Sequence, residues 1–395
     1  DMISIIRNIK NNKLDVIDKM KIVYMRSNPI NPYPRAEKEM SAAIEYGYYP
    51  IALAWDRRVE KFQIKKEELN LYNGQVPIYR FNIKADFGQG LKNFKPLLKW
   101  QMELLKWLIK NRKSYDLIHA FDFDTVLPAL FMKIFFNKKY VYDICDFYVD
   151  AFSVPKLLKP LVKKLDFYAI KKAEATILVN ESRVEQIKGS KPKKLVFIHN
   201  SPIEIKVNSE KKKNKPTIFY GGILVNNRMI LETINICKKH PEWNLIIAGF
   251  GPIENKCKYA AEHYENITFL GKIPYKEIIL NTKAADVIIA CYNPDIPNHK
   301  YSSPNKLYEA MMCKKPIIVC KNTGIDKIVH KENIGLVCDY DEKSLEKCFE
   351  KLLTNKYLCK ETGEKARALY DKKYNWDIMK KRLGNLYLQL FKEGE

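Results

Sequence analysis

The sequence lacks long apolar runs and paired cysteines. Its 395 residues contain no stretch of the roughly 18 apolar residues that a transmembrane helix needs. The apolar run at residues 2–6 is too short for a signal peptide, so we interpret residues 1–19 as an extension before a first strand. The nine cysteines form no CxxC pair, and eight of them lie beyond residue 230. This pattern fits buried thiols in a reducing cytoplasm better than disulfides or zinc.

Acidic residues are too few to balance the basic ones. The chain has 69 Lys and Arg against 46 Asp and Glu, which gives a net charge of +23. Such a charge favours anionic partners. Arginine is scarce beside lysine and no nucleic-acid-binding motif is present, so nucleic acid is the weaker candidate partner.

Two segments concentrate the positive charge on predicted amphipathic helices, residues 90–113 and 155–172. Basic helices with Trp and Leu edges are typical of proteins that lie on an anionic membrane surface. A solvated helix packed on a sheet is the alternative for each. In the first segment the residues concerned are Lys99, Lys106, Lys110 and Lys113, beside Trp100 and Trp107. In the second they are Lys156, Lys159, Lys163, Lys164, Lys171 and Lys172, with Leu157, Leu158, Leu161, Leu165 and Phe167.

Short aliphatic runs alternate with helical patterns almost throughout, which predicts an α/β protein with doubly wound parallel sheets. The length suits two domains. Predicted strands lie at residues 21–25, 50–55, 117–119, 139–143, 176–179 and 195–199, then at 217–220, 244–248, 267–270, 287–290 and 316–319. A polar linker at residues 204–216 separates the two series. We therefore predict domains at residues 20–203 and 204–374, followed by a C-terminal helix within residues 375–395.

The segment from Tyr301 to Val319, YSSPNKLYEAMMCKKPIIV, carries the most chemical information. It predicts a loop, a short helix with Pro304 near its start, and a buried strand after Pro316. Free backbone N–H groups at such a helix start favour a phosphate. Glu309, one turn further on, is suited to accept hydrogen bonds from a ribose diol. An ordinary α/β helix with a surface glutamate is the alternative.

This segment resembles the donor-binding signature of the family-4 retaining glycosyltransferases of the GT-B fold, in the variant SPNKLFEYMAAGKPII. The resemblance implies a nucleotide-sugar site with Ser303, Asn305 and Lys306 at the donor and Glu309 at the nucleotide ribose. The family pattern has two glutamates eight residues apart. The first falls on Tyr301, which therefore occupies the position that contacts the transferred sugar.

The first half of the chain continues the resemblance. MKIVYMRSNPINPYPRAEKEM resembles the family's opening strand, active-site loop and helix, in which Arg35 and Lys38 are candidates for the acceptor or phosphate loop. A structural salt bridge is the alternative role for these two residues. DLIHAFDFDTVLPAL resembles the family segment DVIHAHDLDTL and retains Asp122 and also His119, the third candidate for the acceptor or phosphate loop. We discount the DxD metal motif in this segment, because a bare DxD is common and GT-B enzymes usually need no metal.

A second segment of the first half, Asp143 to Asp146, resembles the family's YDSHELY. Cys145 replaces the histidine that touches the transferred sugar in relatives, which leaves Asp146 as the polar candidate at that position. The carboxyl ends of parallel strands face the cleft of such folds. We therefore assign Asp122 and Asp146 as candidate catalytic residues.

Three segments of the second half resemble the family in the same order. IFYGGILVNNRMILETI corresponds to the strand, glycine turn and helix, with Gly222 in the turn. Ile223 stands where relatives have arginine, and Arg228 stands at the lysine that neutralises the diphosphate. AGFGP places Gly249 under the nucleotide. NITFLGKIPYKEI places Ile273 beside the base.

Together these patterns predict a retaining glycosyltransferase that uses a UDP- or GDP-sugar and needs neither metal nor cofactor. The predicted acceptor is a glycan or a lipid-linked precursor at the cytoplasmic face of the membrane. Two alternatives remain. A non-catalytic nucleotide- or glycan-binding subunit is suggested by Tyr301, Ile223 and Cys145. A nucleotide-sugar epimerase shares the fold, but few histidines and no evident paired carboxylates near the donor loop disfavour it.

Overall fold

The structure, a computed structural model, describes residues 19–59, 61–86, 93–152, 154–205 and 215–392. Two sheets dominate it. The first has eight strands in the order β3-β4-β2-β1-β5-β6-β7-β8, all parallel except for the antiparallel hairpin β3–β4. Its strands are β1 (Lys21–Arg26), β2 (Tyr49–Asp56), β3 (Gln63–Leu71), β4 (Gly74–Asn82), β5 (Leu117–Phe121), β6 (Lys139–Ile144), β7 (Ala175–Leu178) and β8 (Leu195–Phe197).

The second sheet has six parallel strands in the order β11-β10-β9-β12-β13-β14. Both sheets are the doubly wound type that the alternating pattern predicts. The strands of the second sheet are β9 (Thr217–Ile223), β10 (Asn244–Phe250), β11 (Ile267–Phe269), β12 (Val287–Ala290), β13 (Ile317–Cys320) and β14 (Gly335–Cys338).

Helices connect and cover the strands. In the first half they are α1 (Pro34–Glu45), α2 (Phe94–Lys110), α3 (Phe123–Phe136), α4 (Tyr148–Ala151) and α5 (Lys159–Lys172). In the second half they are α6 (Ile230–Lys239), α7 (Glu254–His263), α8 (Tyr275–Ala284), α9 (Asn305–Met312), α10 (Ile325–Glu332), α11 (Glu342–Thr354), α12 (Lys356–Leu369) and α13 (Trp376–Lys392). No helix among the described residues combines the length and apolarity needed to cross a bilayer.

The last helix, α13, packs against the first sheet. Its buried face, which includes Met379, Leu383 and Leu386, joins the same apolar cluster as Ile22 of β1 and Met40 of α1. Tyr387 adds polar contacts, because its hydroxyl lies 2.7 Å from that of Tyr24 and 2.8 Å from Nδ1 of His119. The C-terminus of the described chain is thus tied to the first half by both apolar packing and hydrogen bonds.

The structure corrects the sequence prediction at three strands. The hairpin β3–β4 was not predicted, because QIKKEELNL is mostly exposed and charged and does not resemble a buried strand. The Asn73-Gly74 pair beside its two-residue turn was the available signal. The four-residue strand β14 was also missed, since it is only partly buried. The other predicted strands are present, several with shifted ends.

One predicted membrane-facing residue belongs to the core. Trp100 of α2 is fully buried and stacks on Trp55 with ring centroids 5.8 Å apart. Trp107 packs against Tyr79 at 5.1 Å. The apolar side chains that α2 exposes are Phe94, Leu98 and Met102 instead.

The predicted extension and linker lie mostly outside the described residues. Residues 1–18 and 206–214 are not described, nor are residues 90–92 at the start of the first basic segment. The proposed domain limits at 19/20 and 203/204 therefore stay predictions.

Candidate functional site

A cavity of about 940 Å³ opens between the two sheets. Its walls come from the loops that follow strand carboxyl ends in both halves, such as Asp146 after β6 and Tyr292 after β12. This is where ligands bind in open α/β sheets. Of the sequence-predicted site residues, the following line the cavity: Arg35, Lys38, Asp146, Arg228, Ser303 and Asn305.

Two cationic side chains lie together in the second half. Arg228 ends a 3-10 turn after β9, and its guanidinium carbon lies 3.9 Å from the centre of the Tyr292 ring. Its Nε is buried without a hydrogen-bond partner among the described residues. Lys306 lies over the Tyr220 ring at 4.7 Å. Among the described residues neither cation forms an ion pair with a carboxylate, and Arg228, though not Lys306, lines the cavity.

Gly222 makes room for Lys306. A Cβ atom on Gly222 would lie 2.7 Å from the Lys306 Nζ, and the φ angle of +154° also favours glycine. The fit is tighter at Gly249, where a Cβ would lie 1.8 Å from the carbonyl oxygen of Gly222. These two glycines are register partners on β9 and β10. They therefore let the two strands approach directly beside the cationic pair.

Glu309 lies behind the cavity wall on α9. It is buried, and it accepts a hydrogen bond from the Tyr275 hydroxyl. Burial raises the pKa of Glu309, while Lys306 and Lys38 oppose this shift. Lys38 comes from the first half, and burial lowers its pKa to about 8. The carboxyl group is thus enclosed between lysines from both halves.

The loop before α9 is held by amides of the first half. Asn180 donates to the Ser302 carbonyl at 3.0 Å, and Asn200 donates to the Ser303 carbonyl at 2.8 Å. The Ser303 hydroxyl donates to the carbonyl of Val179 at 3.3 Å. Pro304 is extended and Asn305 begins the helix, as the sequence predicts. These bonds fix the start of α9 at the cavity edge.

Tyr301 and Ile273 do not line the cavity. Tyr301 ends a 3-10 helix at Pro297–Tyr301, and its carbonyl oxygen lies 3.5 Å from the Asn180 amide nitrogen. Ile273 is half-buried and packs against the core of the second half. The predicted sugar contact at Tyr301 and base contact at Ile273 remain predictions.

Asp122 holds the loop that carries Asp146. Its carboxylate accepts backbone hydrogen bonds from Cys145 at 2.8 Å and Asp146 at 3.0 Å. Its other oxygen pairs with the Arg26 guanidinium. Burial raises the pKa of Asp122 to about 6, against the opposing charge of Arg26. Asp122 does not itself line the cavity. Through these bonds it holds in place the loop that carries Asp146.

Asp146 lines the cavity and is hydrogen-bonded to residues of both halves. Its Oδ1 accepts hydrogen bonds from Arg183, at 3.1 Å, and from Asn298 of the second half, also at 3.1 Å. Its side chain is 42% exposed. Sequence reasoning missed Arg183 and Asn298. The available signal for Arg183 was the polar run Asn180-Glu181-Ser182-Arg183 directly after a predicted strand.

Arg35 and His119 belong to a buried polar network. Arg35 donates to both oxygens of Asp143, at 2.9 and 3.0 Å, and to the Ile198 carbonyl at 2.8 Å. His119 is fully buried, with Nε2 3.2 Å from Glu39 and 3.5 Å from Asp143. Burial lowers the pKa of His119, but its hydrogen bonds to Asp143 and Glu39 outweigh this effect and raise it.

This network favours the structural role of Arg35. Its guanidinium pairs with both Asp143 and Glu39, and its role as a phosphate ligand stays a prediction. His119, which does not line the cavity, likewise serves the fold. Lys38, the third of the predicted loop residues, lines the cavity. Its ammonium group donates a hydrogen bond to the Ser201 carbonyl and forms no ion pair within the described part of the chain.

Comparison with known proteins finds a family that the second half of the chain resembles. The family model described as glycosyl transferases group 1 matches residues 202–369. The cationic pair, the glycine turns, the loop before α9 and Glu309 all lie within this segment.

A curated relative is similar to part of the chain. Over 148 residues the chain is 26% identical to a GDP-mannose-dependent monoacylated alpha-(1-6)-phosphatidylinositol monomannoside mannosyltransferase of Corynebacterium glutamicum. The match covers 37% of this chain, and the chain spans only 39% of that relative's length.

Solved structures share the fold of nearly the whole chain. Anabaena HepE in complex with UDP has a TM-score of 0.69 and 13% identity, covering 94% of this chain and 100% of that one. Alpha,alpha-trehalose 6-phosphate synthase of Burkholderia multivorans has a TM-score of 0.69 and 10% identity, covering 95% and 100%. A glycosyltransferase of Rickettsia africae has a TM-score of 0.65 and 15% identity, covering 95% and 98%. The chain has the GT-B fold.

Proposed function

We propose that this protein is a retaining glycosyltransferase that moves a sugar from a UDP- or GDP-sugar to a glycan or lipid-linked acceptor. One observation carries the proposal. Arg228 and Lys306 lie beside the helix start at Asn305, without carboxylate partners among the described residues, and Glu309 lies one turn behind them. Cations suit a diphosphate, and the carboxylate suits a ribose diol.

The chemical task at this site is to stabilise the leaving diphosphate. Arg228 offers a fork of N–H donors that matches two phosphate oxygens, and its buried Nε has no protein partner in the described chain. Lys306 adds a second charge next to the glycine turn. Fixed cations that meet developing charge lower the barrier without reorganising. We propose that these two side chains take the role that a metal plays elsewhere, so no metal or cofactor is required.

Asp146 is the proposed polar contact of the transferred sugar or acceptor, since it lines the cavity and is held between Arg183 and Asn298. In the proposed front-face reaction the leaving phosphate deprotonates the acceptor hydroxyl. Sugar and acceptor then meet on the same side, which retains the anomeric configuration. Asp122 acts through Asp146 by fixing its loop.

The acceptor is proposed to come from the cytoplasmic face of a membrane, with the protein bound peripherally. Helices α2, α3 and α5 lie next to one another on one face of the first sheet. Leu157 beside α5 is 93% exposed, and Leu161 within it is 63% exposed. Lysines surround them. Exposed leucines among lysines suit an anionic lipid surface, and the similar Corynebacterium enzyme acts on a phosphatidylinositol mannoside by its name.

A donor-turnover assay tests the proposed function. The purified protein is incubated with UDP-glucose, UDP-galactose or GDP-mannose, and nucleoside diphosphate release is measured with and without membrane lipid extract. We expect release from one donor, stimulated by lipid, and a product of the donor's own anomeric configuration by NMR. Inverted product refutes retention. A requirement for added Mg²⁺ or Mn²⁺ in the turnover assay refutes metal-independent chemistry.

The second candidate is a non-catalytic nucleotide-binding member of the family. Ile223 is 55% exposed at the family's arginine position, and Cys145 is hydrogen-bonded at 3.4 Å by the Tyr33 hydroxyl at the histidine position. This candidate predicts nucleotide binding without turnover of any donor. Hydrolysis or transfer in the assay above excludes it.

A further inference from the structure

Four cysteines converge beside the second sheet although they are far apart in sequence. Cys320 ends β13 and Cys338 ends β14, and the two are register partners. Cys291 directly follows β12, one residue beyond the pairing of Ala290 with Val319. Cys348 lies on α11, which packs over this face. The strand register thus puts three thiols in one row at the carboxyl edge of the sheet.

The sulfur atoms of this thiol cluster lie close to one another. The Sγ of Cys338 is 3.9 Å from that of Cys291 and 3.8 Å from that of Cys320. All three atoms lie within 4.8 Å of one another. Cys348 packs against the apolar cluster that contains Cys338, and the sulfur of Met229 lies 3.5 Å from that of Cys320. Five soft sulfur donors therefore share one pocket.

These spacings match tetrahedral zinc coordination. A zinc–sulfur bond of about 2.3 Å in a tetrahedron separates neighbouring sulfurs by ~3.8 Å. A disulfide needs about 2.05 Å, which the observed separations exceed. An iron–sulfur cluster places inorganic atoms between its cysteines and needs them farther apart. The cluster is therefore spaced for a single small thiophilic ion.

The surroundings also suit thiolates. Cys291 and Cys320 are fully buried, Cys338 is 1% exposed, and Cys348 is half-buried, which leaves one side for entry of an ion. The backbone N–H of Tyr292 donates a hydrogen bond to the sulfur of Cys320. Amide donors to sulfur orient and stabilise metal-bound thiolates.

We propose that Cys291, Cys320, Cys338 and Cys348 bind one structural zinc ion in the second half of the protein. Binding exchanges four S–H bonds for four zinc–sulfur bonds and releases four protons to solvent, with no change in oxidation state. Met229 packs against the cluster and excludes water from it. Cys348 comes from a helix and completes the coordination by a rotation of its side chain.

The ion would act on the donor site through two neighbours in sequence. Met229 follows Arg228, and Cys291 precedes Tyr292, the ring on which Arg228 stacks. Fixing the cluster therefore fixes the turn that carries Arg228 and the strand end that carries Tyr292. This makes the zinc site a positioning element, separate from the bound donor.

The test is metal analysis of the full chain, purified without a histidine tag. We expect about one zinc per chain by plasma mass spectrometry, and loss of most of it in Cys320→Ser and Cys338→Ser. Cys237→Ser and Cys257→Ser are matched controls, since both residues are buried cysteines outside the cluster. They should keep the zinc. Cobalt substitution should add a sulfur-to-cobalt charge-transfer band in the wild type and both controls.

Two results overturn the proposal. One is wild-type protein that holds no zinc after dialysis against zinc and shows no rise in melting temperature when zinc is added. The other is a disulfide among these cysteines, detected by mass spectrometry of the native protein. Neither readout depends on sugar transfer or on nucleotide binding. If a serine variant fails to fold, the wild-type zinc content and its stability with and without a chelator still decide.

Discussion

The side chains around the cavity are of two kinds: some are free to bind a ligand, and others hold neighbouring residues in place. Arg35 and Arg228 both line the cavity, Arg35 buried and Arg228 half-buried, but their surroundings differ. Arg35 donates hydrogen bonds to Asp143 and the Ile198 carbonyl, whereas the Arg228 Nε has no hydrogen-bond partner among the described residues. From sequence the two arginines look equally suited to phosphate, because the partners of Arg35 are 108 and 163 residues away.

Replacing Arg228 should weaken binding of the nucleotide. A hydrogen bond to a charged group contributes about 1.5–3 kcal/mol, so Arg228→Gln should reduce nucleoside diphosphate affinity by about 10- to 100-fold in calorimetric titration. Arg58→Gln is the control, since Arg58 is exposed and outside the cavity lining. Equal affinity of Arg228→Gln and wild type would remove Arg228 from the donor site.

Protonation of Asp122 should reduce activity on the acidic side. Burial raises the pKa of Asp122 to about 6, so below this pH the carboxylate that holds Arg26 and the Asp146 amide becomes neutral. We expect kcat/KM to fall below about pH 6 in a pH series. Asp122→Asn imitates the neutral form, so it should lower the plateau and abolish the acidic limb.

Unfolding does not explain that loss. The folded protein binds this proton more tightly than the unfolded chain, whose pKa is near 3.8, so this group alone makes the fold more stable as pH falls through 6. A melting temperature that stays constant or rises between pH 7 and pH 5.5 while activity falls would agree. An acidic limb that persists unchanged in Asp122→Asn would contradict the account.

At the scale of secondary-structure elements, close approach of β9 and β10 shapes the donor side of the cavity. A Cβ on Gly249 would lie 1.8 Å from the Gly222 carbonyl oxygen. Because this atom belongs to the backbone, the strand itself would have to move to relieve the collision. Gly271 also has a positive φ, +62°, but open space around it. Comparing substitutions at these two glycines therefore distinguishes the effect of a steric collision from that of backbone strain.

Gly249→Ala should therefore destabilise the protein far more than Gly271→Ala. Left-handed strain alone costs about 1–2 kcal/mol, and we expect Gly271→Ala to lose that amount in urea unfolding. Gly249→Ala should lose at least twice as much or fail to fold. Equal losses would show that β9 and β10 do not approach as closely as described.

Elements also show how far the sequence can predict this fold. Most parallel strands were predicted because they are short apolar runs, such as VIIA of β12 and IIVC of β13. The hairpin strand β3 was not, because an edge strand rich in charged residues lacks that pattern. The thiol cluster was also beyond sequence reasoning, since cysteines 18 and 29 residues apart meet only through strand register.

For the whole molecule, the site depends on both halves of the chain. Asn180 and Asn200 hold the loop before Asn305, and Lys38 approaches Glu309 from the first half. Motif order predicted Arg228, Lys306 and Glu309, but no motif predicted the Asp146, Arg183 and Asn298 bridge. Contacts across a cleft require the relative placement of two sheets, which local patterns do not contain.

The basic face of the first half should bind anionic membranes. Leu157→Glu with Leu161→Glu should reduce sedimentation with phosphatidylglycerol vesicles by at least about 10-fold, because two exposed leucines are lost and two charges become repulsive. Changing Lys99, Lys106 and Lys110 to Glu should have a similar effect. Tyr357→Glu is the matched control, since Tyr357 is 76% exposed in the other half. Unchanged partitioning would argue against a membrane acceptor.

The central claim is a nucleotide-sugar site at Arg228, Lys306 and Glu309. Calorimetric titration with UDP, GDP, ADP and CMP tests it most directly. We expect one nucleotide to bind with one-to-one stoichiometry. Glu309→Ala should weaken it by about 10-fold or more, through loss of the ribose contact, while Glu350→Ala, an exposed glutamate of the same half, should not. Absence of binding by all four, or equal binding by Glu309→Ala, would contradict the account.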